Sequence, residues 1–146
     1  MYLPPLVPKE FVVPQELKTD KFILRLITID DADLDYETVK NSVDTHGQPN
    51  PSAVDKKQDL IDLGYHQKEW QKRASFTYIV TNLTGDKSLG CVYIYPCDDK
   101  TFAAEVVQWV TKAAFDQGLE PILFETVKQW LKSTWPFKKV YFAERD

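Results

Sequence analysis

Between positions 75 and 110 the chain carries three successive runs that suit little besides paired β-strands: SFTYIVTN at 75–82, SLGCVYIYP at 88–96 and AAEVVQWV at 103–110. Each is rich in β-branched and aromatic residues, whose side chains pack well on a pleated surface. The first two flank LTGDK at 83–87, where Gly85 and Asp86 supply turn chemistry, so the spacing predicts an antiparallel hairpin. Pro96, Asp98 and Asp99 make the next turn and complete a meander. A sheet this apolar needs helices to cover it.

The flanking sequence supplies them. Upstream, KFILRLI at 21–27 alternates around Arg25 and reads as a first strand. Thr28 and Asp31 form a capping-box pattern, after which Ala32, Tyr36, Val39 and Val43 recur at helical spacing. THGQPNP at 45–51 reads as a loop. Ser52 and Asp55 repeat the capping signal, and a second helix is expected to run to about Arg73, with Leu60, Leu63 and Trp70 facing inward and Gly64 marking a kink. Downstream of Thr111, Leu123, Val127, Trp130 and Leu131 share one helix face. Pro136 ends that helix, because the residue before a proline avoids the α region, and Trp135 falls outside it. A last short strand suits 139–143.

The resulting order is strand, two helices, three antiparallel strands, helix, strand. It predicts an α+β sandwich, with a mixed, mostly antiparallel sheet flanked by helices and short at its C-terminal side. Residues 1–20, interrupted by Pro4, Pro5, Pro8 and Pro14, read as an extended Pro-rich arm, and 21–146 as a single domain.

Charge and composition exclude several functions. Over 146 residues the net charge is −4, so no cationic field attracts nucleic acid or an anionic membrane surface. The apolar runs fall far short of the roughly 18 consecutive residues a membrane span needs. The early prolines interrupt any apolar core of a signal peptide, so cytoplasmic residence is expected. Cys91 and Cys97 have no partners at the spacing of a zinc site, His46 and His66 are isolated, and no metal is expected.

The segments LRLITIDDADLDY at 24–36, GCVYIY at 90–95 and AEVVQWV at 104–110, in this order, resemble the GNAT superfamily of acyl-CoA N-acyltransferases. The resemblance covers about 11–142. It implies transfer of an acetyl group from acetyl-CoA to a primary amine, on a small molecule or a peptide, by direct attack without a covalent enzyme intermediate. The pyrophosphate loop of the family, Q/R-x-x-G-x-G/A, corresponds to the run from Phe115 to Glu120, in which Gly118 matches while Phe115 and Glu120 depart from the pattern.

By the same resemblance, main-chain N–H groups of Gln117, Gly118 and Leu119 are candidates to grip the coenzyme phosphates. The alternative for this loop is a plain helix start capped by Asp116. The pantetheine arm is expected to pair with Val106, Val107, Gln108, Trp109 and Val110, one of whose N–H groups polarises the thioester. Glu105 is the candidate base by position, and Tyr93, Tyr95 and His66 are candidates on the acceptor side.

Two alternatives stay open. One is a noncatalytic GNAT-like binding or interaction module that has lost acetyl-CoA binding. The other is an unrelated α+β interaction domain, marked by continuous pairing of the strands at 103–110 and 139–143. An unpaired edge beside the last strand also points to a homodimer as its simplest cover.

Overall fold

The structure is a computed structural model and describes residues 4–50, 55–143 and 145. In chain order the elements are β1 (Glu16–Lys18), β2 (Ile23–Leu26), a 3₁₀ turn (Ile29–Asp31), α1 (Ala32–Lys40), β3 (Ser42–Val43), α2 (Lys56–Gln71), β4 (Phe76–Thr81), β5 (Ser88–Tyr95), β6 (Ala104–Thr111), α3 (Lys112–Asp116), α4 (Leu119–Thr134) and β7 (Val140–Phe142). The strands form one sheet in the order β1-β2-β4-β5-β6, and both β3 and β7 pair with the outer edge of β6. The β6–β7 pairing is parallel and every other is antiparallel. This is the expected mixed, mostly antiparallel sheet flanked by helices.

Alternation along the strands divides the core. Val92 and Ile94 of β5, with Val106 and Val110 of β6, pack under Leu123, Val127, Trp130 and Leu131 of α4 in the main cluster. On the other face Ile79 and Cys91 meet Ile27 and Leu63 beneath α1 and α2. Central β4 is buried at all its positions because both faces are covered. Gly90 lets β5 and β6 close: a Cβ built there would lie 2.3 Å from the Trp109 carbonyl oxygen.

The Pro-rich N-terminal run is tied to the sheet. β1 pairs with β2, Val7 is buried in the main core, and the Tyr78 hydroxyl donates to the Pro14 carbonyl at 2.7 Å. Arg73, at φ 65°, donates to the carbonyls of Pro8 and Phe11.

The capping box at Thr28 and Asp31 forms, but it closes the 3₁₀ turn that precedes α1. Asp31 also receives both guanidinium nitrogens of Arg25, at 2.6 and 2.8 Å. Several local expectations are corrected. Val43 lies in β3 rather than on α1, which ends at Lys40 with Asn41 as its cap. Leu63 is buried and the Trp70 indole donates to the Ile27 carbonyl at 2.7 Å, whereas Leu60 is exposed.

Asp55 caps α2 by accepting from the Gln58 N–H at 2.7 Å, and Ser52 lies outside the described residues. α2 runs unbroken through Gly64, where an added Cβ would sit 3.9 Å from Ile29 Cγ2, an ordinary contact. Gly64→Ala is therefore expected to stabilise the protein by about 1 kcal/mol, measured by urea unfolding. Downstream of β6 the chain forms two helices. Thr111 caps α3, and Gly118, at φ 83°, turns the chain into α4. Among the described residues no helix is long and apolar enough to cross a membrane.

Candidate active site

The outer edge of β6 is divided between two short partners. β7 pairs with Ala104, Glu105 and Val106, and the Ala143 N–H donates to the Val106 carbonyl at 2.9 Å. β3 pairs with Val110 and Thr111. Between them, Val107, Gln108 and Trp109 have no strand partner on this edge among the described residues. Main-chain groups alternate in direction along a strand, so the Val106 carbonyl places the N–H and C=O of Gln108 toward the same opening. The strand at 139–143 pairs with β6 along its whole length, the continuous pairing named as the mark of an unrelated interaction domain, and the opening begins only where β7 ends, beyond Val106.

The opening leads into a pocket of about 510 Å³ lined by Val107, Gln108, Trp109, Tyr93, Val39, Ser42, Asp44, Asn50 and Ala143. Of the five β6 residues expected to receive the pantetheine arm, the middle three are free, while Val106 and Val110 are engaged by the chain itself.

The loop from Asp44 to Asn50 forms one wall. Asp44 Oδ1 accepts from the N–H groups of His46 and Gln48, which hold its carboxylate below the usual range. Gly47, at φ 80°, places its Cα so close to Phe115 that a Cβ would fall 2.6 Å from the ring. Gly47→Ala would combine left-handed strain with overpacking, and we expect it to cost about 2–3 kcal/mol in chemical denaturation.

At the α3–α4 junction the expected anion donors are largely engaged. The Gln117 N–H donates to the carbonyls of Ala113 and Ala114, and the Gly118 N–H donates to that of Phe115 at 3.0 Å. Main-chain donors for an anion are thereby reduced to Leu119 and Glu120 in the first turn of α4, since Pro121 has none. Asp116 does not cap α4; its carboxylate pairs with Lys112 at 2.6 Å. Glu120 turns inward, where Gln108 Nε2 donates to it at 2.8 Å and Arg145 forms an ion pair with it. Arg145 also lies over the Phe124 ring. Each carboxylate that crowds this loop in sequence is thus held by a cation.

Glu105 faces the side of β6 shared by Val107 and Trp109, opposite Tyr95 on β5 and Tyr141 on β7. It lines a different pocket, of about 380 Å³, with Cys97, Asp98, Asp99, Phe102 and Tyr141. Tyr93 and Tyr95 stack with ring centroids 5.7 Å apart, and the His66 ring lies 5.4 Å from Tyr93. These three candidates are brought together. Burial raises both tyrosine hydroxyls, Tyr95 to about 12, so they stay protonated donors. Burial lowers the His66 pKa, which keeps the imidazole neutral, and its Nδ1 lies 3.3 Å from Thr77 Oγ1.

Behind Tyr93 sits a group that reading the sequence missed. The carboxyls of Asp35 on α1 and Asp59 on α2 are 3% and 2% exposed and hydrogen-bond to each other. Burial pushes Asp35 up to about 8 and raises Asp59 as well. Cys91 Sγ donates to Asp35 Oδ1 at 3.5 Å. A signal was present: Asp35 lies one turn before Val39, and Asp59 precedes Leu63 and His66 by four and seven residues, so both carboxyls share the inner faces of their helices.

A meander whose third strand carries a parallel partner on its far edge, with a gap beyond that pairing and helices on both faces, defines the GNAT fold. No family model matches the sequence, and no curated protein compared with it is similar in sequence. Solved structures share the architecture. A protein assigned to the GnaT acetyltransferase family from Bordetella pertussis superposes with TM-score 0.61 at 16% identity, covering 83% of this chain and 74% of that one. One assigned as a ribosomal-protein-serine acetyltransferase from Vibrio cholerae gives 0.56 at 21%, covering 70% and 58%. RimL, an alpha-N-protein acetyltransferase of a ribosomal protein, solved in complex with coenzyme A, gives 0.52 at 12%, covering 73% and 59%. The chain thus spans less than two thirds of the length of the last two. At these identities the likeness is one of fold.

Proposed function

We propose that the chain is an acyl-CoA-dependent N-acetyltransferase acting on a primary amine by direct attack, with the cytoplasm as its place of work. The observation that carries this reading is the opening in the β6 edge at Val107, Gln108 and Trp109, in a fold shared with a protein solved with coenzyme A. Acetyl-CoA, when bound, supplies an activated carbonyl and a thiolate leaving group.

The residues of this chain do the rest. The main chain of Gln108 pairs with the pantetheine arm as an added strand, and an N–H on this edge stabilises the oxyanion formed when the amine attacks. Leu119 and Glu120 offer N–H groups to the diphosphate at the start of α4. Tyr93, Tyr95 and His66 border the acceptor amine. Glu105 takes its proton, reached through water because it lies in the neighbouring pocket.

Calorimetric titration with acetyl-CoA is expected to show saturable binding, and no heat at millimolar ligand would remove the transferase. Glu105→Gln is expected to lower kcat about 100-fold and displace the pH profile. An unchanged profile would make Glu105 structural. One observation favours the second reading, a module that has lost its coenzyme: the N–H groups of Gln117 and Gly118 are already bonded. The same titration decides between the two.

A further inference from the structure

The cavity behind Tyr93 is acid-lined and lacks a cation. It has a volume of about 80 Å³, and its walls include Asp35, Asp59, Asp62, His66, Thr77 and Tyr93 but no Lys or Arg. The guanidinium groups are held elsewhere, Arg25 by Asp31, Arg73 by the carbonyls of Pro8 and Phe11, and Arg145 by Glu120. Apart from the Asp35 carboxyl, no N–H group or hydroxyl of the described residues donates to Asp59 Oδ2, although Asp59 is 2% exposed. A buried carboxylate offers about four lone-pair sites, and here the neighbouring Asp35 carboxyl meets only part of that capacity. Native interiors seldom leave such an acceptor unpaired.

The missing element is a small group with several donors, no acceptor and a positive charge. An ammonium fits: it carries three donors, and the space holds an aminomethyl group. No group of three or more His, Cys, Asp and Glu among the described residues is arranged to hold a metal ion. Of its lining residues, Asp62 and His66 are half-buried. It shares Tyr93 and Val39 with the pocket at Gln108, so the two spaces lie on either side of these residues.

We propose that this cavity is an anchoring subsite for an ammonium group, held by Asp59 and Asp35, and that the acceptor is a diamine whose other amino group lies at the β6 opening. The diamine assignment rests on the transferase reading; the ammonium subsite does not. An ammonium beside the Asp59 carboxylate, with the Asp35 carboxyl as a further acceptor, is kept charged and has no lone pair for attack, so the nitrogen that reacts is a second one. The groups facing the bound cation are Asp35 from α1, Asp59, Asp62 and His66 from α2, and Cys91 and Tyr93 from β5.

The test titrates the protein, without acetyl-CoA, with butane-1,4-diamine, n-butylamine and butan-1-ol at constant ionic strength near neutral pH. Both amines are expected to raise Tm saturably by a few degrees and the alcohol to leave it unchanged, with the rise abolished in Asp59→Asn. In the wild-type protein, proton NMR should show the amines moving the His66 ring signals and lowering the His66 pKa, while the signals of exposed His46 stay in place. This second readout needs no variant. An equal Tm rise in Asp59→Asn, or amine titrations that move neither Tm nor His66, would overturn the subsite. Amine binding without acetyl-CoA binding would leave the subsite and remove the transferase; acetyl-CoA binding without amine binding would do the reverse.

Discussion

Trp135→Ala is expected to lower the unfolding free energy by about 3–5 kcal/mol, read from urea denaturation with an unchanged m-value. Trp135 is 5% exposed and gathers rings from four parts of the chain. Its ring centroid lies 5.1 Å from Phe11, 5.3 Å from Phe76, 5.5 Å from Trp130 and 5.6 Å from Phe137. One side chain therefore joins the N-terminal run, β4, α4 and the segment before β7, and removing it empties the junction. Its indole Nε1 is buried with no hydrogen-bond partner, so Trp135→Phe should cost far less than alanine. A loss below about 1 kcal/mol for alanine would show that the N-terminal run is not anchored through this ring.

Asp35→Asn is expected to flatten the dependence of stability on pH. The carboxyl rises from 3.8 to about 8, chiefly because burial penalises its charge, then because it bonds Asp59 and feels the charges of Asp59 and Asp31. Below pH 4 it is protonated in both states. Between 4 and about 8 the folded protein holds a proton that the unfolded chain has released, so stability falls as pH rises through that window and levels off above it. At about 1.4 kcal/mol per pKa unit, the fall attributable to this group is on the order of 5 kcal/mol. The amide cannot ionise. The variant should match the wild type near pH 4, exceed it in Tm at pH 8, and keep only the smaller slope due to Asp59. A wild-type Tm that is level from pH 5 to 8 would show that Asp35 is not held protonated by the fold.

Much of the architecture was legible because it is written in local patterns. The hairpin across LTGDK, the strand at 104–111 and the inner face of α4 each depend on residues a few positions apart, where side-chain period and turn chemistry act directly. Val43 and Leu60 were misplaced for the complementary reason. Val43 continues the helical spacing of Val39, yet pairing with Val110 takes it into a strand. Leu60 fits an apolar stripe that the sheet does not reach.

The candidate site divides the same way. Tyr93, Tyr95 and the middle of β6 could be named from strand texture and family likeness. The N–H groups of Gln117 and Gly118 could not be seen to be engaged, since that depends on an extra helical turn after Thr111.

From the sequence alone followed the succession of strands and helices and the faces they bury, because short-range sterics and hydrophobic period govern both. Only the folded chain decided where β6 is left open and that Asp35, Asp59 and Cys91 meet. Those facts are contacts between residues tens of positions apart, and burial, which no local pattern encodes, turns two ordinary surface-type carboxyls into a proton-sharing pair.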